Sequence, residues 1–515
     1  MKKSVEYNLV AKCLLPSAGR YPDSVAMVFE GKEFTYRDIL KEVSRYVAML
    51  KKLGVKRGEV VAFLMTNRPE FPFSYLAVAS MGAIALPIDP SYKPNEVTFR
   101  IKDSGTVAVI GNEQPLQRVY AVKDTLSTVR HYILAGPESA GTPLPKDVVR
   151  VKDMKEGNGK VEPCDVLPDD TAHILYTSGT TGVPKGAMIT HQNLYTNAEA
   201  CVKNASYVHE DRVVCVLPLF HCFGLLQTLF GPFFVGATVL LVERFSAKAV
   251  LETIDKYKAT VMQGVPTFYI LMLNLPELKS YSIKSLRFCL SGGASTAVEI
   301  LERWKQATGG VVLQDGYGLS EATALVCRTP KEFPRKPGSL GRPSYRTEVR
   351  IVDEEGKDVP QGTVGELVCR GPLVMKGYLN DPSRTAEAIR DGWLHSGDLV
   401  YADPDGDLFL VGRKKEIIFR GGANVYPREV EEVLYKNPKV AEAAVIGVPD
   451  ELFGEKVKAF IVLRSGVTAT EEETKEFCAK YLAKYKTPEY VEFISEMPKT
   501  TTGKIRKVAL KEKNK

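Results

Sequence analysis

The sequence predicts an α/β protein: a large N-terminal domain of helix-covered, mainly parallel sheet, a small β-barrel-like part, and a small α+β module at the C-terminal end. Three observations predict it. Apolar strand-like runs alternate with helix signals through the first half. After about Pro330 the strands become short and are bounded by Gly, Pro and Asp. Beyond Lys415 helix and strand signals mix again over a short span.

Thr35 to Leu53 carries helical periodicity, with Asp38, Lys41 and Glu42 among Ile39, Leu40, Val43 and Val47, and Gly54 as its stop. Val60 to Leu64 reads as a buried strand. Pro69 then opens a helix through Met81 that Gly82 closes, and Ala83–Ile88 and Val107–Ile110 are further strands. The alternation recurs at Ala259–Met262, Leu286–Leu290 and Val311–Leu313. Val349–Val352, Gly365–Cys369 and Asp407–Val411 are the short strands of an antiparallel sheet or small barrel. In the last part, Pro427 is a good first helical residue for Arg428–Tyr435, Val440–Val448 and Val457–Leu463 read as strands, and Glu471–Tyr485 as an amphipathic helix.

The chain has 515 residues, enough for more than one domain, and a net charge of +7. That charge is mild for the length, and no basic block is interleaved with aromatics, so nucleic acid is not an expected partner. The nine cysteines are scattered, with no CxxC pair and no Cys/His cluster at zinc spacing, which fits reduced thiols in the cytoplasm. Ser4 to Asn8 interrupts any signal-peptide apolar region after Lys2 and Lys3. Val213 to Val242 holds no Asp, Glu, Lys or Arg and exceeds the ~20 residues that cross a bilayer. It includes His221 and Gln227, and Pro218, Gly224, Gly231, Pro232 and Gly236 divide it into short pieces, so a buried interior is expected rather than a span. Peripheral contact with a membrane stays open.

The most informative segment is Tyr176 to Gly186, YTSGTTGVPKG, directly after an apolar run. Thr177, Ser178, Thr180 and Thr181 alternate with Gly179 and Gly182, and Lys185 follows. Glycines let backbone approach a ligand, hydroxyls and amides donate hydrogen bonds, and lysine adds charge; together they suit a polyphosphate. GxxxxGK[ST] has no match, so this is not the usual P-loop. Further segments follow in order: Ser291-Gly292-Gly293-Ala294, Gly316-Tyr317-Gly318-Leu319-Ser320-Glu321, His395-Ser396-Gly397-Asp398, Gly412-Arg413-Lys414-Lys415 and Thr502-Gly503-Lys504.

In these six ordered segments the chain resembles the adenylate-forming (ANL) superfamily of acyl-CoA synthetases, nonribosomal peptide adenylation domains and beetle luciferases. The resemblance implies an N-terminal adenylation domain over residues 1–414 and a mobile C-terminal domain over 415–515, with the hinge at Lys415, where many members carry Asp. It implies an AMP-forming acyl-CoA synthetase that uses ATP and CoA as substrates and Mg²⁺ as cofactor. A carboxylate oxygen is a poor leaving group; joining it to the α-phosphate of ATP makes it part of AMP, which a thiol then displaces. The work is positioning and electrostatics, so no nucleophile motif is needed.

By the same resemblance, Thr177, Ser178, Gly179, Thr180, Thr181 and Gly182 cradle phosphates with Lys185. Glu321 is the hard oxygen ligand for Mg²⁺. Ser320 stands where members usually carry Thr and keeps the hydroxyl. Gly316, Tyr317 and Gly318 border adenine, with Tyr317 stacking on it. Gly292, Gly293 and Ala294 line both adenine and the acyl group. Asp398 accepts the ribose hydroxyls, and Arg413 holds the same region. Lys504 contacts the substrate carboxylate and α-phosphate during adenylation. Rotation about Lys415 then withdraws it and brings Gly421 and Gly422 to a pantetheine tunnel.

His221 and Phe223 lie in PLFHCFG, which resembles the segment bordering the acyl pocket of acyl-CoA synthetases. No acid occurs from Val213 to Leu241, so an ammonium would be unpaired there, which argues against an amino-acid substrate. A medium- or long-chain fatty acid is expected. An aryl-CoA ligase, an acyl-AMP ligase that loads a carrier protein, and a non-enzymatic protein anchored by residues 213–242 are the competing readings.

Overall fold

The apolar runs of the first half fall where parallel strands form. In the computed structural model, which describes residues 3–139, 144–177, 184–329, 335–500 and 503–512, Val60–Leu64 is buried along its whole length. It lies between Ile84–Pro87 and Ala108–Gly111, parallel to both. This sheet continues on one side through His131–Leu134 and Val149–Arg150. On the other it continues through Thr171–Thr177, then turns antiparallel through Lys185–Thr190 and Gly377–Tyr378.

A second sheet holds a parallel row in the order Val25–Phe29, Thr238–Leu241, Arg212–Cys215, Val261–Gly264, Phe288–Gly292, Leu313–Tyr317. Cys327–Arg328 then runs back against Leu313–Tyr317. It offers its other edge to Ser339–Pro343, beyond which come Leu408–Arg413, Trp393–Ala402, Gly365–Arg370 and Glu348–Val352, all antiparallel. The antiparallel strands expected after Pro330 are therefore present, and they extend the parallel sheet in one unbroken hydrogen-bonded order.

The helix Tyr36–Lys52 starts at Thr35, whose hydroxyl accepts from Asp38 N while Asp38 accepts from Thr35 N, a reciprocal cap. The helix Glu70–Ser80 is buried from Phe71 to Ser80, on every side. It sits in the largest core with Phe63 and Phe230, and the Tyr75 and Phe230 rings are 5.3 Å apart. The uncharged stretch Val213–Val242 is interior: a strand, a π-helix Phe223–Phe230, the helix Gly231–Val235 and a second strand. Among the described residues no helix is long and apolar enough to cross a membrane.

The last sheet orders Ala423–Val425, Ile418–Arg420, Gly454–Leu463 and Val440–Asp450, with Tyr490–Phe493 parallel to Gly454–Leu463. The helices Pro427–Tyr435 and Glu471–Ala479 cover it. The second stops six residues short of the expected Tyr485 (485 − 479). Its last turn tightens, with Lys480 and Tyr481 amides bonding three residues back, and Leu482 folds inward while Tyr481 and Tyr485 stay exposed.

Candidate active site

The strands Phe288–Gly292 and Leu313–Tyr317 end side by side, with Gly292 opposite Gly316. Their C-terminal ends open onto a cavity. In open parallel sheets this is where ligands bind. His221, with Phe223 and Gln227 of the π-helix, Gly316 to Ser320, and Lys504 all line it. A second, smaller cavity shares His221, Phe223 and Lys504.

Gly318 shows why this turn demands glycine. A Cβ there would stand 1.2 Å from the Ala324 carbonyl oxygen. Gly293 has φ +79°, and a Cβ on it would meet Lys504 Cε at 2.9 Å, so the missing side chain makes the lysine's seat. Lys504 arrives from the C-terminal part on a tight turn: Gly503 N donates to Thr500 O (2.9 Å), and Thr267 Oγ1 holds Gly503 O (2.9 Å). Burial lowers the Lys504 pKa to about 8; the Arg413 cation adds to this, against Asp398 and Glu321. His221 is held neutral, its pKa pressed down to about 3 by burial and by Lys504.

Glu321 occupies the one-turn helix Ser320–Ala322. Its Oε1 accepts from Thr177 Oγ1 (3.1 Å) and from Tyr378 Oη (3.0 Å). Thr177 ends its strand opposite Lys185, and Lys185 Nζ lies 4.9 Å over the Tyr378 ring. Thr177, Lys185 and Glu321 are thus brought together. Ser178, Gly179, Thr180, Thr181 and Gly182 lie outside the described residues.

Asp398 pairs across the sheet with Arg413. Arg413 Nε stands 3.3 Å from Asp398 Oδ1, and Tyr317 Oη donates to Oδ2 at 2.6 Å. Burial pushes the Asp398 carboxyl above the ordinary aspartate value, with Arg413 and the tyrosine hydroxyl pulling the other way. Tyr317 itself lines the cavity.

Other expected residues lie elsewhere. Ala294 is exposed and is not among the cavity-lining residues. Gly421 and Gly422, both at positive φ, form the turn between Ile418–Arg420 and Ala423–Val425, away from the cavity. Lys415 sits in the 3₁₀ turn Lys414–Glu416 directly after Arg413. Two residues at the site have no motif to announce them. Tyr378 comes from a two-residue strand remote in sequence, and Gln227 is an amide in an otherwise apolar helix, which was its one signal.

Among the described residues no group of three or more His, Cys, Asp or Glu gathers to hold a metal. One oriented carboxylate beside hydroxyls and a lysine suits an ion that keeps waters and takes most ligands from phosphates, which is Mg²⁺ chemistry. A sheet-end cavity with a lysine, an Asp–Arg–Tyr group and glycines on its lining suits an anionic ligand held close to the backbone.

Comparison with known proteins gives the family. The profile of the AMP-binding enzyme family matches residues 15–379, and that of the AMP-binding enzyme C-terminal domain matches 429–504. The chain belongs to this family. It is 38% identical to a long-chain-fatty-acid–CoA ligase of Bacillus subtilis, over 96% of this chain and 92% of that one. It is 34% identical to a 4-coumarate–CoA ligase of Humulus lupulus, over 94% and 89%. Among solved structures, the anthranilate CoA ligase AuaEII in complex with anthranoyl-AMP superimposes with a TM-score of 0.91 at 29% identity, covering 100% of this chain and 97% of that one. The chain is an AMP-forming acid–thiol ligase.

Proposed function

We propose that the protein activates a medium- or long-chain fatty acid with ATP, giving acyl-AMP and pyrophosphate, and then passes the acyl group to CoA, giving acyl-CoA and AMP. In the first step the acid's carboxylate oxygen attacks the α-phosphorus and the bond to pyrophosphate breaks. In the second, the CoA thiol adds to the acyl carbon, loses its proton, and AMP leaves with the oxygen. The observation that carries the reading is Lys504, a cation from the C-terminal part seated at Gly293 inside the sheet-end cavity.

In this reading Lys504 offsets the negative charge of the carboxylate and α-phosphate as they meet. Thr177 and Lys185, with residues 178–182, hold the outer phosphates. Glu321, oriented by Thr177 and Tyr378, holds Mg²⁺, which when bound neutralises phosphate charge. Tyr317 and Asp398 hold adenosine, and Arg413 keeps Asp398 ionised. His221 and Phe223 border the acyl chain. The Lys504-in arrangement corresponds to adenylation; turning about Lys415 would carry Gly421 and Gly422 inward for thioester formation. Residues 1–414 and 415–515 are the two proposed bodies. The nine cysteines, all free thiols, fit a reducing cytoplasmic setting.

An ATP–pyrophosphate exchange panel tests this, with saturated acids of graded length and with benzoate- and cinnamate-type acids, followed by CoA consumption with the best acid. Exchange with aryl acids alone would move the assignment to an aryl-CoA ligase, the chemistry named in two of the relatives above. AMP release without free CoA, onto a carrier protein, would change the acceptor.

A further inference from the structure

We propose that the inner end of the acyl cavity is polar and selects an acid whose far end carries oxygen, an ω-hydroxy or α,ω-dicarboxylic acid, over a methyl-terminated acid of the same length. This rests on the acid-activation reading above and names the acid more narrowly.

Gln227 and Leu290, each 1% exposed, line the cavity together with the less buried Lys504. Gln227 is thus buried yet lines the cavity, and among the described residues its Oε1 has no hydrogen-bond partner. The wide turn of the π-helix Phe223–Phe230 carries it there, and such turns recur at functional sites.

The layer behind it is also polar. Gln263, Leu290 and Gln314 lie in one cross-strand row, and Arg328 is opposite Gly316 on the next strand. Gln263 is fully buried; its Nε2 bonds the Tyr207 hydroxyl, and its Oε1 has no partner among the described residues. Tyr207 Oη in turn donates to the Gln227 carbonyl at 3.0 Å.

Arg328 is 2% exposed. Its guanidinium lies 4.1 Å over the Phe288 ring and gives Nε to Gln314 Oε1 at 3.4 Å, while Nη1 has no partner among the described residues. Arg287, the other cation here, is already paired with Asp211. A buried guanidinium with no acid beside it among the described residues, and two buried carboxamides with open acceptors, are costly around a purely methylene chain. A terminal hydroxyl donates to an open amide oxygen, and a terminal carboxylate accepts from Arg328 Nη1.

Competition assays with matched acids test this: a straight-chain acid, its ω-hydroxy derivative and the dicarboxylic acid of the same length, over a series of lengths, read as AMP formed with ATP and CoA. The expected result is a preference in kcat/KM of at least about tenfold for an ω-oxygenated acid at the best length, reversed in Gln227→Leu. Gln227→Glu, close in shape, should reject the dicarboxylic acid by repulsion, and Arg328→Met should weaken that acid selectively if the second carboxylate is the ligand. A wild-type preference for the methyl-terminated acid, with the ratio unmoved by Gln227→Leu, overturns the proposal and leaves buried water as the amides' partner. Activation of none of the acids overturns the acid-activation reading, and this one with it.

Discussion

At the scale of single residues, charge placement decides the chemistry. Lys504 has a folded-state pKa lowered to about 8, so its ammonium is present below that pH and lost as pH rises through it. The kcat/KM for acyl-AMP formation, which reports the free enzyme, should therefore fall above about pH 8. In Lys504→Arg, which stays charged, that alkaline fall should vanish even if the rate is low. A fall that persists in the arginine variant would assign the titration to another group. Glu321 offers a second test. Glu321→Gln should cut pyrophosphate exchange by about 100-fold with an unchanged circular dichroism spectrum, and Tyr378→Phe by about 10-fold with a raised Mg²⁺ requirement, as expected when an orienting partner of a ligand is lost. Normal exchange at ordinary Mg²⁺ in Glu321→Gln would remove the metal role.

At the scale of elements, strands and helices with strong local signals were legible in the sequence. Val60–Leu64 is apolar throughout because both its faces are covered, and Tyr36–Lys52 announces itself by Thr35 and Asp38. What stayed hidden depends on contacts remote in sequence. No local pattern tells that Cys327–Arg328 turns the parallel sheet antiparallel, or that Tyr378 pairs beside Lys185 and orients Glu321. The π-helix looks like ordinary helix in sequence, and Ala294 looks like Gly293's neighbour in function though its side chain is exposed. The glycine turn gives a prediction at this scale. Gly318→Ala forces its Cβ into the Ala324 carbonyl and should cost roughly 1–3 kcal/mol or more together with most of the exchange activity. Gly19→Ala, in the helix Leu15–Arg20 with nothing within 4 Å, should instead raise stability by about 0.5–1 kcal/mol. Chemical denaturation of both variants measures the contrast. Equal stabilities would mean that the 316–320 turn yields easily.

At the scale of the whole molecule, polar contacts join the C-terminal part to the rest, beside Tyr435 packed on the core around Val265 and Trp304. Thr267 holds Gly503 O, Glu432 accepts from Val298 N at 3.3 Å, and Arg428 reaches Leu410 O at 3.0 Å. Such a join suits movement between half-reactions. Lys504→Ala should lose acyl-AMP formation yet convert supplied acyl-AMP and CoA to thioester. Lys415→Pro, which fixes φ at the proposed hinge, should keep pyrophosphate exchange and lose transfer to CoA. Loss of both half-reactions in both folded variants would rule out two working orientations. The unbroken second sheet has a different consequence, for how the chain can be cut. A fragment ending before Cys327 would leave Leu313–Tyr317 as a bare border, its amides and carbonyls unmatched along one side. Such a border invites the same strand of another copy to lie against it. Shortened versions of this protein should therefore clump when the cut falls there, and stay dispersed when it falls after Arg413, where the sheet is already complete.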